Sequence, residues 1–125
     1  MSMKKIALAA LLMLIGIVYA LVAVFSAHYI PKTNPKSLVA IIDVREENNY
    51  IYSHLVGATG LSHLNKDFKD LVSQIDKHAR IGVYGANWDD ADRVVQKMQG
   101  WGFDNVLNLG SLQQATDATG LEQTF

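Results

Sequence analysis

The sequence predicts an α/β fold, a three-layer α/β/α arrangement around a small parallel sheet, preceded by an apolar N-terminal helix. Three short apolar runs, at residues 38–44, 81–84 and 105–109, are rich in the residues typical of strands buried on both faces of a parallel sheet. Between and after them, apolar residues recur at the spacing of amphipathic helices. Such alternation of strands and helices favours parallel pairing.

Two helices are predicted from the stripes of apolar residues that would face the sheet. The first stripe comprises Leu64, Phe68, Leu71, Val72 and Ile75. The second stripe comprises Ala91, Val94, Val95, Met98 and Trp101. Each set repeats every three or four residues, which is the period of a helix with one buried face.

An uncharged apolar run lies between Ile6 and Ala27, directly after Lys4 and Lys5. As a helix it would span roughly 33 Å, which is enough for a hydrocarbon layer of about 30 Å. We therefore predict a membrane anchor, and the alternative is a secretory signal that is removed. The two lysines favour a cytoplasmic N-terminus, so the domain would lie on the non-cytoplasmic side, or be exported as a soluble protein after cleavage.

The predicted organisation is an anchor or signal at residues 1–28, a linker at 29–37 that contains both prolines, and a domain at 38–125. Without Lys4 and Lys5, the chain has 11 − 2 = 9 basic and 12 acidic side chains, a formal charge of 9 − 12 = −3. This charge argues against nucleic acid as a partner. The absence of cysteine excludes disulfides and thiolate chemistry within this chain. No metal and no cofactor are predicted.

Two motifs lie where predicted strands end. The first contains Asp43, Val44, Arg45, His54, Gly57 and Ala58. The second begins after Tyr84 and leads through a short loop into the second helix, followed by Gly102, Phe103 and Gly110. Together they resemble the rhodanese family over about residues 38–118, most closely the small exported single-domain rhodaneses of the phage shock protein E type.

The resemblance implies a sulfurtransferase frame, in which a cysteine thiolate accepts a sulfane sulfur from thiosulfate or a related donor. Its active-site loop corresponds here to Gly85, Ala86, Asn87, Trp88, Asp89 and Asp90. Glycine stands at the cysteine position, and Asp89 stands where thiosulfate-using members have an arginine. A carboxylate opposes a dianionic donor and lacks the guanidinium's paired donors. We therefore expect a domain that is inactive as a sulfurtransferase.

Most residues of the two motifs have a structural interpretation. Asp43 and Arg45 are expected to form an internal pair, because buried charge needs a partner. His54 is expected to hydrogen-bond to backbone near the turn at Gly57 and Ala58. No pair of histidines has the close spacing of a zinc site.

The start of the second helix also has a structural interpretation. Asn87 and the aspartates after it suit a helix N-cap and first turn. A cation site formed by Asp89, Asp90 and Asp92 is the alternative, although calcium and magnesium need more oxygen ligands than this motif supplies. Trp88 has two interpretations: it fills the space left by the missing side chains, or it anchors a partner.

Two functional hypotheses follow. The first is a membrane-tethered binding or regulatory module, with the face from Gly85 to Asp92 holding an unknown protein or small ligand. The second is a residual enzyme, either a sulfurtransferase-related protein that uses a partner's thiol or a hydrolase that uses the loop carboxylates.

Overall fold

The computed structural model describes residues 3–25 and 28–125; within the first helix, side chains are described at residues 3–15 and 17. The helices are α1 (Met3–Phe25), α2 (Glu47–Tyr52), α3 (Phe68–Val72), α4 (Trp88–Gly100) and α5 (Leu112–Thr119). The strands are β1 (Ala40–Asp43), β2 (His54–Leu55), β3 (Thr59–Gly60), β4 (Ile81–Gly85), β5 (Val106–Ser111) and β6 (Gln123–Thr124). A short 3₁₀ helix, Pro35–Ser37, precedes β1.

Four strands form a parallel sheet in the order β3-β1-β4-β5. In this sheet Ile42 lies opposite Val83, and Asp43 lies opposite Tyr84. The remaining strands, β2 and β6, pair antiparallel in a small second sheet. Because all four main strands run the same way, their carboxyl ends meet at one edge.

The two faces of the parallel sheet are covered by different helices. Alternate strand residues such as Ile42 and Val83 pack with Val72 of α3 and Met98 of α4 in one buried cluster. The opposite cluster comprises Ile41, Leu55, Ala58, Tyr84, Leu109 and Ala115, the last of these from α5. Successive side chains of a strand point to opposite faces of the sheet, so neighbours such as Ile41 and Ile42 fall in different clusters. This parallel sheet flanked by helices confirms the predicted α/β class.

The predicted strands and the second predicted helix match β1, β4, β5 and α4 closely. The first predicted helix is partly wrong, because α3 contains only five residues and Leu64 lies before it, 66% exposed. Ser62 and Asn65 explain the difference, since their side chains accept hydrogen bonds from backbone N–H groups two residues later. Such local bonds hold turns in place of helix.

The N-terminal region begins with α1, whose described side chains are exposed. Among the residues that the structure describes, no helix is both long enough and apolar enough to cross a membrane. This finding does not support the predicted anchor, whose last residues, 26 and 27, lie outside the described part of the chain.

The predicted linker packs against the domain. Ile30 contacts the cluster beneath α5. Thr33 is buried, and its backbone N–H donates to the carbonyl of Ala118 over 2.8 Å. Residues 30–33 therefore contribute to the packed domain.

Candidate functional site

The edge where the parallel strands end contains a pocket of about 250 Å³. β1 reaches this edge at Asp43, and β4 reaches it at Gly85. The pocket walls include Arg45, Glu46, His63, Gly85, Ala86 and Asp90. Both sequence motifs therefore meet at one site, the region where ligands bind in open α/β sheets.

Gly85 is the buried last residue of β4. A Cβ atom at this position would lie 3.2 Å from the backbone nitrogen of Ala91 and 3.4 Å from Cγ2 of Val44. Gly85 is not among the glycines with positive φ, so its backbone does not require glycine. The backbone conformation therefore tolerates other residues, although a side chain would be tight against α4. As glycine, the position supplies no nucleophile.

The turn between β4 and α4 is short, because only Ala86 and Asn87 separate the two elements. Trp88, Asp89 and Asp90 belong to the first turn of α4. The six residues predicted as a loop are thus one strand end, a two-residue turn and a helix start.

Asn87 is the N-cap of α4, and its Oδ1 accepts a hydrogen bond from the N–H of Asp90 over 2.9 Å. Asp89 and Asp90 lie in the first turn, where negative charge stabilises a helix. Asp90 also pairs with Arg93 at 3.3 Å, and Asp92 accepts a 2.6 Å hydrogen bond from Gln96. These contacts stabilise α4 itself.

The described part of the chain contains no cluster of three or more histidine, aspartate or glutamate side chains that could hold a metal ion. The cation alternative for Asp89, Asp90 and Asp92 therefore gains no support from these residues.

Trp88 is half-buried and does not line the pocket. Its indole stacks on the imidazole of His28, with ring centroids 4.3 Å apart and planes inclined by 7°. Its carbonyl accepts a hydrogen bond from the side chain of Asn108 over 3.2 Å. The indole packs against His28, which lies before the start of the domain predicted from the sequence, a contact that neither interpretation of Trp88 anticipates.

Asp43 and Arg45 form a two-pronged ion pair. Arg45 Nη2 lies 2.7 Å from Asp43 Oδ2, and Nε lies 3.0 Å from Oδ1. Asp43 is fully buried, and Nη2 also donates to the carbonyl of Ser53 over 2.6 Å. Burial lowers the pKa of Arg45, but the hydrogen bond and charge of Asp43 outweigh this effect and hold the pKa above its ordinary value. The guanidinium therefore ties β1 to the end of α2.

Tyr84 lies beneath this ion pair, with the Arg45 guanidinium 5.6 Å from the ring centroid. Its hydroxyl oxygen accepts a hydrogen bond from the N–H of Leu55 over 3.0 Å. Burial, strengthened by the charge of Asp43, raises the pKa of the phenol above its usual range. Tyr84 thus remains neutral and joins β4 to β2.

The remaining residues of the first motif form a turn. His54 Nδ1 donates to the carbonyl of Tyr50 over 2.8 Å, and the two rings stack with centroids 3.9 Å apart. The Tyr50 hydroxyl donates to the carbonyl of Ala58. Gly57 has φ of 83°, and the N–H of Ala58 returns to the carbonyl of Leu55. The turn thus needs glycine at position 57.

Sequence reasoning missed three of the pocket residues, Asn49, His63 and Leu64. Glu46 directly follows Arg45 of the first motif, so its place at the end of β1 was predictable. His63 reaches the site because its N–H donates to the carbonyl of Val44 over 3.1 Å. No local pattern in the sequence indicates that contact.

A family model described as "Rhodanese-like domain" matches residues 27–116 of this chain. The chain belongs to the rhodanese-like domain family. A search of curated proteins found no relative.

Solved structures agree with this assignment. One crystal structure of a rhodanese-like domain from an Anabaena protein is 29% identical, with 69% of this chain and 98% of that one covered and a TM-score of 0.60. A second X-ray structure of the same Anabaena domain is 28% identical, with coverage of 70% and 88% and a TM-score of 0.61. All residues that line the pocket fall within the matched residues 27–116.

Proposed function

We propose that this rhodanese-like domain is a binding or regulatory module without sulfurtransferase activity of its own. The observation that supports the proposal is Gly85 at the end of β4, in a chain that contains no cysteine. Sulfur transfer through a persulfide requires a thiolate, and no residue of this chain supplies one.

The charges around the pocket support a change of ligand class. Glu46 and Asp90 line the pocket, and Asp89 is exposed beside it. The lining cation, Arg45, is already held by Asp43. Two N–H groups of α4 are already occupied by Asn87. Its Oδ1 accepts from the Asp90 N–H, and its carbonyl accepts from the Ala91 N–H. The site thus favours a cationic or neutral group over a dianion.

A thiosulfate-to-cyanide sulfur transfer assay on the purified full chain tests this proposal. We expect no turnover above the protein-free rate, with a cysteine-containing rhodanese as the positive control. Repeating the assay with dithiothreitol as an external thiol tests the alternative of a sulfurtransferase that uses a partner's thiol. Clear turnover in the first assay would overturn the proposal, and turnover only with the added thiol would favour the alternative.

The face from Gly85 to Asp92 is the proposed binding surface. Cross-linking from cell membranes with the wild-type chain and with Trp88→Ala tests its use by a partner protein. The matched control is Tyr52→Ala, which removes an aromatic side chain that is 84% exposed and lines a different pocket. We expect a cross-linked species that Trp88→Ala loses and Tyr52→Ala keeps. Equal cross-linking by both variants would argue against this surface.

Tethering to a membrane through the segment between Ile6 and Ala27 stays a prediction from the sequence. Mass measurement of the intact mature protein, combined with membrane fractionation, distinguishes a retained anchor from a removed signal. A retained segment keeps the full mass and sediments with membranes. A removed signal gives a shortened, soluble chain.

A further inference from the structure

We call residues 28–33 the strap. It begins at α4, where His28 contacts Trp88, and runs along α5 to Thr33. The C-terminal end of the strap is firmly held: the Thr33 N–H donates to the carbonyl of Ala118 over 2.8 Å, and Lys32 Nζ donates to the carbonyl of Asp117. Ile30 packs into the cluster formed by β4, β5 and α5. These contacts fix the strap at one end.

The N-terminal end of the strap is held differently. His28 stacks on Trp88 in the first turn of α4. Between this stack and Lys32, the strap and α5 line a pocket of about 260 Å³. Tyr29, which follows the stack, is 83% exposed. Residues 28 and 29 are therefore loosely packed, and the stack of His28 on Trp88 joins them to α4.

A single ring stack is a weak attachment compared with the packed end. Stacked aromatic pairs contribute only about 0.5–1.5 kcal/mol beyond the area that they bury. The imidazole covers one face of the indole, so lifting His28 exposes that face. Trp88 directly follows the turn after Gly85, so the covered face belongs to the rim of the rhodanese-like site.

We propose that the strap is a cover that opens and closes over Trp88, with His28 as its latch. In the closed state His28 occupies the indole face, and in the open state that face is free for a partner. His28 of the strap and a partner at Trp88 therefore compete for one surface. The role of Trp88 as a partner anchor rests on the proposed function; the latch itself does not.

The latch is tested in the full chain without any partner. The chain has two tryptophans, so 5-fluorotryptophan gives two fluorine resonances, and Trp101 serves as the internal reference. Because the chain has no cysteine, Tyr29→Cys accepts a nitroxide label at one place. We expect the label to broaden the Trp88 resonance strongly and to affect Trp101 much less, since α4 separates them by roughly 20 Å at 1.5 Å per residue.

Adding His28→Ala to the labelled chain should restore a measurable part of the lost Trp88 intensity, because residues 28 and 29 are released while Ile30 stays packed. His78→Ala, which removes an exposed imidazole elsewhere, is the matched control and should restore none. An unchanged Trp101 resonance shows that the variants fold. Trp88 broadening in His28→Ala equal to that of the labelled wild-type chain would overturn the latch, and so would a Trp88 resonance that the label never broadens. Neither result depends on sulfur transfer.

Discussion

At the scale of single residues, position 85 determines the chemistry that the strand edge can support. Gly85 has ordinary backbone geometry, so a thiol could be placed there without a left-handed conformation. Its surroundings are tight, because a Cβ atom at this position would lie 3.2 Å from the Ala91 nitrogen. The electrostatic surroundings, Glu46 and Asp90 in the wall and Asp89 beside it, are a second and separate obstacle to anion chemistry.

Gly85→Cys alone is expected to leave thiosulfate turnover near background, because the carboxylates still oppose the dianion. Adding Asp89→Arg should raise turnover at least roughly tenfold, since a hydrogen bond to a charged group contributes about 1.5–3 kcal/mol. The measurement is thiosulfate-to-cyanide transfer, with Gly85→Ser as a matched control that adds a similar side chain without a thiol. Efficient turnover by Gly85→Cys alone would show that the charge argument is wrong.

Asp43→Asn is expected to lower the free energy of unfolding by about 3–5 kcal/mol, because it leaves the Arg45 guanidinium without its buried carboxylate. Arg45 is only 12% exposed at its side chain, so water cannot replace the lost partner fully. Urea unfolding measures the loss. The matched control is Asp104→Asn, which removes an exposed pairing with His78 and should leave stability unchanged. Similar urea midpoints for both variants would contradict a structural role for the Asp43 pair.

At the scale of elements, the junction of β4 and α4 depends on its cap. Asn87→Ala should lower the free energy of unfolding by about 1 kcal/mol, within the range of about 0.5–2 kcal/mol for lost N-caps. The reason is that the Asp90 N–H loses its 2.9 Å acceptor. Thermal unfolding by circular dichroism measures the change, with Asn48→Ala, an exposed asparagine of α2, as the control. Equal melting temperatures for the two variants would show that the cap has no such role.

The elements found from the sequence were those with a long, regular pattern. β1 and β4 are nearly continuous apolar runs, and α4 buries a regular stripe. α5 was missed because its sequence, LQQATDAT, has one large apolar residue, although Ser111 and Gln114 form a capping box that could have indicated its start. The strands β2, β3 and β6 have two residues each, too few for a period to show.

The site was predictable where its contacts are local in sequence. Asp43 and Arg45 are two residues apart and form the expected pair, and Asn87 caps the helix that it precedes. The stack of His28 on Trp88 was not predictable, because it joins residues that are distant along the chain. Composition and periodicity carry no information about which distant rings meet.

At the scale of the whole molecule, two buried clusters share one sheet, so the domain should unfold as one unit. Met98→Ala on one face and Leu109→Ala on the other should each lower the free energy of unfolding by about 2–5 kcal/mol. Circular dichroism and tryptophan fluorescence should report the same urea midpoint in each variant. Leu64→Ala, at an exposed position, is the control and should change little. Separate midpoints for the two probes would contradict a single cooperative unit.

The ion pair at the end of β1 directs its hydrogen bonds to α2, whereas the neighbours of Gly85 include Ala91 and Asp90 of α4. The contacts of residue 85 and the hydrogen bonds of the Asp43–Arg45 pair therefore lead to different helices. A substitution at position 85 leaves the hydrogen bonds of that pair in place. The strand edge can thus lose a nucleophile while β1 stays tied to α2.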